Sequence, residues 1–241
     1  MEYQTLPISL KKGAIFVADA HYQKGVREEF GSFVKELLQS PPPQLFLMGD
    51  IFDLLVGEIG ATIKDNEEVV RDLNLLSKSC ECWYLEGNHD FNLKDVFCRF
   101  KVVPREEQPL AAEANGKRVA LLHGDMFMGK SYERYIGFIK KKWVLWVLRA
   151  LNLNNFIVKK IQRYNASKDL CVKIEDFEKI ADIKREHFRE FDLIIEGHFH
   201  QNYFSKNYIN LPSFSCDEKY VFYDGSKFVL KSKADNPYVK I

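Results

Sequence analysis

The stretch Gly87-Asn88-His89-Asp90 places an amide, an imidazole and a carboxylate in consecutive positions. It follows a short apolar run, Cys82-Trp83-Tyr84-Leu85, of the kind that forms a buried strand. Four other stretches repeat the arrangement. Ala14–Val17 leads to Asp19 and His21, Leu45–Met48 to Gly49-Asp50 and Asp53, Val119–Leu122 to His123-Gly124-Asp125, and Leu193–Ile195 to Gly197-His198-Phe199-His200. Of six histidines only His187 lies outside these stretches, and it reads as a helix-surface or core residue. Asp19, His21, Asp50, Asn88, His123, His198 and His200 therefore form a candidate ligand set. Oxygen and imidazole donors without thiolate suit manganese, iron or zinc. Seven are too many for one ion with an open position. Shared between two ions, with one carboxylate bridging, they leave room for a bridging water. Two metals about 3.5–4 Å apart can clamp the attacking and leaving oxygens of an in-line displacement at phosphorus. Any one of these residues could instead cap a helix or turn; all five stretches together are poorly explained that way. Asp53 and Asp125 stay open between orienting ligand imidazoles and plain helix-start or turn roles.

The elements that must position these groups can be read from periodicity. Residues 14 to 19 read as a buried strand. Because alternate residues of an extended segment face the same way, Asp19 and His21 can reach one ion. Phe30, Phe33, Val34, Leu37 and Leu38 have helical spacing, stopped by Pro41-Pro42-Pro43. Asp65 with Glu68 reads as a capping box opening a helix that buries Val69, Val70, Leu73 and Leu76. Strand and helix alternate, which favours an α/β fold with a largely parallel sheet. Asn115-Gly116 and Asp224-Gly225 are hairpin turns. Residues 176 to 190 read as a helix. Short strands around 208–211, 219–223 and 227–230 suggest a second, more antiparallel sheet.

Composition excludes several classes. A 46% apolar content supports a large core, and a net charge of +1 names no partner. The five cysteines, Cys80, Cys82, Cys98, Cys171 and Cys216, are odd in number and form no CxxC pair. That argues against a disulfide framework or structural zinc and fits a reducing cytoplasm. Met1–Thr5 shows no basic leader region. The longest apolar segment, Trp143 to Val158, is broken by Arg149, Asn152, Asn154 and Asn155. It is too interrupted to span a bilayer, which takes about 20 apolar residues.

In order and spacing, Asp19-x-His21, Gly49-Asp50-x-x-Asp53, Gly87-Asn88-His89-Asp90, His123-Gly124-Asp125 and Gly197-His198-x-His200 resemble the full motif set of the calcineurin-like metallophosphoesterases. The resemblance implies a four-layer α/β/β/α sandwich. It implies one metal held by Asp19, His21 and His200, another by Asn88, His123 and His198, and Asp50 between them. It also implies that His89 contacts phosphate and assists the leaving group, with Asp90 orienting it.

Between His123 and His198 the chain changes character. Residues 126 to 168 carry ten basic side chains against a single acid, Glu133, interleaved with Tyr, Trp, Phe and aliphatic residues. The segment reads as two helices joined near 152–155. It could be a helical hairpin packed on the sandwich, a lid offering an apolar trough to a lipid and cations to phosphates, or a nucleic-acid surface. Tryptophans beside basic residues on one amphipathic element favour the membrane interface and disfavour nucleic acid. Its position resembles the helical lid of the UDP-2,3-diacylglucosamine pyrophosphohydrolases of lipid A synthesis. Asn88-His89-Asp90-Phe91 stands where those enzymes often have Asn-Arg-Asp-Phe. Arg163, Asn165, Ser167 and Lys168 resemble their diphosphate- and nucleotide-contacting stretch.

The expectation is one calcineurin-like domain over residues 1–241, with a helical lid insert at about 126–175. It would use two divalent ions, most simply Mn2+, to hydrolyse a nucleotide-linked lipid. It would be cytoplasmic and peripheral on the inner face of the bacterial inner membrane. The rivals are another phosphodiesterase or nuclease on the same site, and a non-catalytic scaffold of the same fold.

Overall fold

The computed structural model describes residues 7–235; the Met1–Thr5 stretch read for a leader lies outside them. In chain order come β1 (Ile8–Ser9), β2 (Ile15–Val17), α1 (Glu29–Gln39), β3 (Gln44–Leu47), β4 (Leu55–Val56), α2 (Gly60–Asp65), α3 (Glu67–Leu76), β5 (Glu81–Leu85), β6 (Asp90–Phe91) and β7 (Lys101–Val103). There follow β8 (Leu110–Ala114), β9 (Lys117–Leu122), α4 (Lys130–Ile139), α5 (Lys142–Leu151), α6 (Phe156–Ala166), α7 (Phe177–His187), β10 (Leu193–Glu196), β11 (Tyr203–Phe204), β12 (Tyr208–Asn210), α8 (Phe214–Asp217), β13 (Lys219–Tyr223) and β14 (Phe228–Ser232).

Two six-stranded sheets form, in the orders β14-β13-β2-β3-β5-β7 and β1-β8-β9-β10-β12-β11. Their strands are apolar on both faces because both faces are covered. Ile15, Val17, Leu45 and Leu47 pack under α1 and α3, while Phe16, Phe46 and Trp83 point the other way and meet Val119, Leu121 and Ile195 of the second sheet. Ala120, Leu122 and Ile194 turn outward again, onto Phe177 and Ala181 of α7. The alternation along each strand therefore produces four layers, α/β/β/α, as expected.

Several local expectations are corrected. The β13–β14 hairpin forms, but it extends the first sheet, with β13 antiparallel to β2. The second sheet is mixed, since β9, β10 and β12 run parallel. No capping box opens α3. Asp65 ends the separate short helix α2, and Asn66 stands at the junction, its Nδ2 donating to the Leu54 and Thr62 carbonyls at 3.1 and 2.8 Å. The 130–166 region holds three helices, not two: the chain becomes extended at Lys141, between α4 and α5. Asn154 and Asn155 take left-handed conformations between α5 and α6. Finally, Cys171 and Cys216 are joined in a disulfide across 45 residues. The odd cysteine count hid this pair, because Cys80, Cys82 and Cys98 remain free. Among the described residues no helix is long and apolar enough to cross a membrane.

Candidate metal centre and apolar cavity

The C-terminal ends of β2, β3, β5, β9 and β10 deliver the candidate ligands, where open α/β sheets place their sites. The chain must turn sharply there to aim each side chain inward. Asp19, His21, Asp50, His198 and His200 all have positive φ, between 42° and 67°. Such conformations cost a non-glycine residue of order 1 kcal/mol apiece, and a packed surrounding must hold them. Glycines make the close approaches possible. A Cβ on Gly87 would lie 2.2 Å from Asp50 Oδ1, and one on Gly49 would lie 2.4 Å from His123 Nδ1.

The ligand atoms of Asp19, His21 and His200 lie within 4.8 Å of one another, and so do those of Asp50, His123 and His198. Second bonds fix the rings. His200 Nδ1 donates to the Leu170 carbonyl at 2.6 Å, which leaves Nε2 facing His21 Nε2 at 3.4 Å and Asp19 Oδ1 at 3.4 Å. His123 Nδ1 donates to the Met48 carbonyl at 3.0 Å, which leaves Nε2 3.3 Å from Asn88 Oδ1 and 3.5 Å from Asp50 Oδ2. Lone-pair atoms thus converge at spacings that suit a shared ion bound at about 2.0–2.2 Å. His21 Nδ1 is buried without a hydrogen-bond partner. The donor set fits divalent metal.

Electrostatics tell the same story. Burial opposes charging of His123, yet Asp50 beside it pushes its pKa up to about 10. Burial likewise opposes ionisation of Asp50, but His123 and His89 hold it well below the usual carboxylate range. His198 is taken down to about 3 by burial and by His123. Burial, and then His89, also holds His21 well below the ordinary histidine range. Buried carboxylates here need a cation, and either a histidine proton or a metal can supply it.

His89 lies at the edge of this group, its ring 4.9 Å from that of His21. Its Nδ1 donates to the main-chain oxygen of Asp53 at 2.8 Å, so Nε2 is its free nitrogen. The expectation that Asp90 orients His89 is corrected. The Asp90 carboxylate is buried and accepts N–H groups from Asp50, Ile51, Phe52 and Gly87, plus the Tyr84 hydroxyl at 2.6 Å. It shapes the loop that carries Asp50; burial and the Asp50 charge raise its pKa to about 7. Asp53 is buried 3.5 Å from Arg27, and one of its oxygens groups with His21 and His89 within 4.8 Å. Asp125 does not orient a ligand imidazole. It pairs with Arg105 Nε at 2.8 Å, and Arg105 also holds Glu133 of α4.

Beside His89 opens a cavity of about 470 Å³, within the range of small-molecule sites. One end is lined by Asn88 and His89, and the walls by apolar residues such as Ile136, Leu145 and Val158. Asn165 and Lys168 also line it, and Asn165 Nδ2 reaches the Asp53 carbonyl at 3.2 Å. Arg163 and Ser167 do not join them: Arg163 is exposed, and Ser167 Oγ caps α6 by donating to the Tyr164 carbonyl at 2.7 Å. Helical spacing explains the split, since 165 and 168 share a face that 163 and 167 do not.

A family model described as calcineurin-like phosphoesterase matches residues 14–202. The chain belongs to the calcineurin-like phosphoesterase family. It is a metal-dependent phosphoesterase, which removes the scaffold reading. Among curated proteins, a UDP-2,3-diacylglucosamine hydrolase of Histophilus somni strain 2336 is 26% identical over 210 residues, covering 81% of this chain and 87% of the relative. One from Coxiella burnetii strain Dugway 5J108-111 is 25% identical over 199 residues, covering 78% and 80%. One from Photorhabdus laumondii is 26% identical over 204 residues, covering 78% and 81%.

Sequence reasoning missed the carbonyls of Met48, Asp53 and Leu170 that fix three imidazoles. A main-chain oxygen leaves no trace in residue type. It also missed Gln108, whose Oε1 accepts the His123 N–H at 2.7 Å.

Proposed function

We propose that this enzyme hydrolyses the pyrophosphate bond of UDP-2,3-diacylglucosamine, giving UMP and 2,3-diacylglucosamine 1-phosphate. The observation that carries the reading is the apolar cavity opening directly beside Asn88 and His89. A phosphoesterase acting on small soluble esters needs no such wall; a diacylated sugar does. The names of the curated relatives support the same substrate.

Two divalent ions, Mn2+ in our reading, would supply charge neutralisation and a hydroxide near neutral pH. Asp19, His21 and His200 would hold one, and Asn88, His123 and His198 the other, with Asp50 between them. His89, its ring fixed on the Asp53 carbonyl, would place Nε2 against the phosphoryl group and assist the leaving group. Asn165 fixes the base of α6 against that carbonyl, and Lys168 would reach the diphosphate. The three helices 130–166 would act as the lid of a single domain.

The outer face of that lid supports attachment to a membrane surface. Phe138, Trp143, Trp146, Leu151 and Phe156 are exposed, between 49% and 69%, next to the exposed Lys141 and Lys142. Aromatic rings with adjacent lysines suit an anionic lipid interface, here the cytoplasmic face of a bacterial inner membrane.

The test is UMP release from UDP-2,3-diacylglucosamine by purified enzyme, with manganese and with chelator, beside a small chromogenic phosphodiester. Manganese-dependent lipid turnover with poor cleavage of the small ester is expected. Turnover of the small ester alone would discard the lipid assignment and turn the basic helices toward nucleic acid.

A further inference from the structure

We propose that the Cys171–Cys216 bridge positions the Asp19–His21–His200 group and makes its grip on a divalent ion depend on thiol redox state. The inference rests on reading those three residues as one ligand group.

The bridge sits behind that group on both sides. On one side, Leu170 precedes Cys171, and its carbonyl is the acceptor for His200 Nδ1–H at 2.6 Å. Lys173 Nζ donates to the carbonyls of His200 and Gln201 at 2.9 and 3.3 Å, and the Ile174 N–H donates to Gln201 Oε1 at 2.8 Å. On the other side, Cys216 lies in α8. Ser213 Oγ donates to the Asp19 carbonyl at 2.9 Å, and the Ser215 N–H reaches the same oxygen at 3.3 Å. One covalent link therefore ties the segment that orients His200 to the helix that backs Asp19.

The first of these segments has little else to hold it. Residues 169–174 carry no helix or strand, and 171–174 are exposed. Its position depends on the few polar bonds above and on the bridge. Residues 165 and 168, which line the cavity, lie just before it. The other ligand group is supported only in part from this side. His123 leans on Met48 and Gln108, while the His198 N–H is held by the Asp19 carboxylate at 2.9 and 3.0 Å. Loss of the bridge should therefore weaken one metal position more than the other.

Cys171 is exposed, so a small dithiol can reach it. Its thiolate would attack one sulfur, break the protein S–S bond and form a mixed disulfide. Its second thiolate would then close a cyclic disulfide and release the second protein sulfur. Two electrons pass from the dithiol, and two protons are taken up by the new protein thiols; a small disulfide reverses the exchange. In a compartment kept reducing, disulfides tend to be redox-sensing rather than permanent, so the cytoplasmic placement and the bridge are compatible.

The experiment titrates manganese by calorimetry into metal-stripped full-length protein in four forms: oxidised; reduced with dithiothreitol that is then removed under argon; Cys216→Ser; and oxidised His200→Ala. Manganese avoids confusion with thiolate binding because it prefers oxygen and imidazole ligands. Thiols are counted first in denaturant. Three are expected in the oxidised protein, from Cys80, Cys82 and Cys98, and five after reduction. The expected result is two binding events. One should weaken by about 10–100-fold without the bridge, as when a contact orienting a ligand is lost. It should be the same event that His200→Ala removes, and re-oxidation should restore it. Five thiols in the oxidised protein would overturn the inference. So would two events unmoved by reduction, or equal weakening of both. A Cys216→Ser protein that fails to fold leaves the reduced native chain to decide. Absence of any manganese binding to the oxidised protein would instead sink the ligand assignment beneath it.

Discussion

Removing Arg105 tests how the His123 turn and α4 are held together. Its guanidinium is buried, donating from Nε to Asp125 Oδ2 at 2.8 Å and from Nη2 to the Asp125 carbonyl at 3.0 Å and Glu133 Oε2 at 2.8 Å. Glu133 in turn accepts the Phe127 N–H at 3.0 Å. Arg105→Met keeps the apolar stem and strands the Asp125 carboxylate, which is fully buried, with only the Tyr132 hydroxyl at 3.5 Å. Breaking one side of a buried pair costs about 3–5 kcal/mol. The Glu133 contact, with that side chain 37% exposed, adds at most about 1 kcal/mol. For a chain of this size each kcal/mol moves Tm by about 2–4 °C, so Tm should fall by about 6–24 °C. Arg105→Met with Asp125→Asn removes the stranded charge and should recover most of the loss. Urea denaturation and calorimetry of the two single variants and the double variant close the cycle. A single-variant cost below about 1 kcal/mol would refute the reasoning, as would a double variant no more stable than Arg105→Met.

Other expectations concern the site and the start of β5. His89→Ala should keep most of its bound metal but lose about 10²–10⁴-fold in kcat, whereas Asp50→Ala should lose metal; metal analysis beside kinetics separates them, and a fully active His89→Ala enzyme would remove His89 from the chemistry. Leu145→Trp should fill part of the 470 Å³ cavity. It should raise KM for long-chain substrate several-fold and leave a small diester unaffected; equal loss on both would mean the helices are only structural. Glu81 is subject to burial that raises its pKa, yet hydrogen bonds from Lys11, Lys101 and Gln44 hold it down to about 2. Because its folded pKa is depressed, the stability it contributes is present above pH about 4.5 and lost as pH falls toward about 2. The stability gap between wild type and Glu81→Gln, followed by urea midpoints from pH 7 down, should therefore narrow below pH about 4.5. A gap that is constant with pH would contradict the ion pairing.

Some of this was legible in the sequence because it is periodic or local. Alternating apolar residues in Ile15–Val17 and Leu45–Leu47 require two covered faces, and hence layers on either side of the sheet. Polar groups placed just past strand ends fall together because all these strands end at the same edge. That brings seven candidate ligands to one place. The insert was visible as a block of cations and aromatics. What the sequence did not carry was direction and long-range partnership. Two neighbouring polar residues look alike on paper, yet Asp90 turns back to gather the Asp50 loop while His89 is oriented by a main-chain oxygen 36 residues away. Asp125 found Arg105 and not a ligand imidazole. The β13–β14 hairpin chose the first sheet because β2 presented an edge there. Cys171 and Cys216 meet only because the segment after α6 returns past α8. Side-chain type and spacing determined which chemistry was possible; packing decided which atoms face one another, because a carbonyl or a distant partner is selected by geometry and not by local propensity.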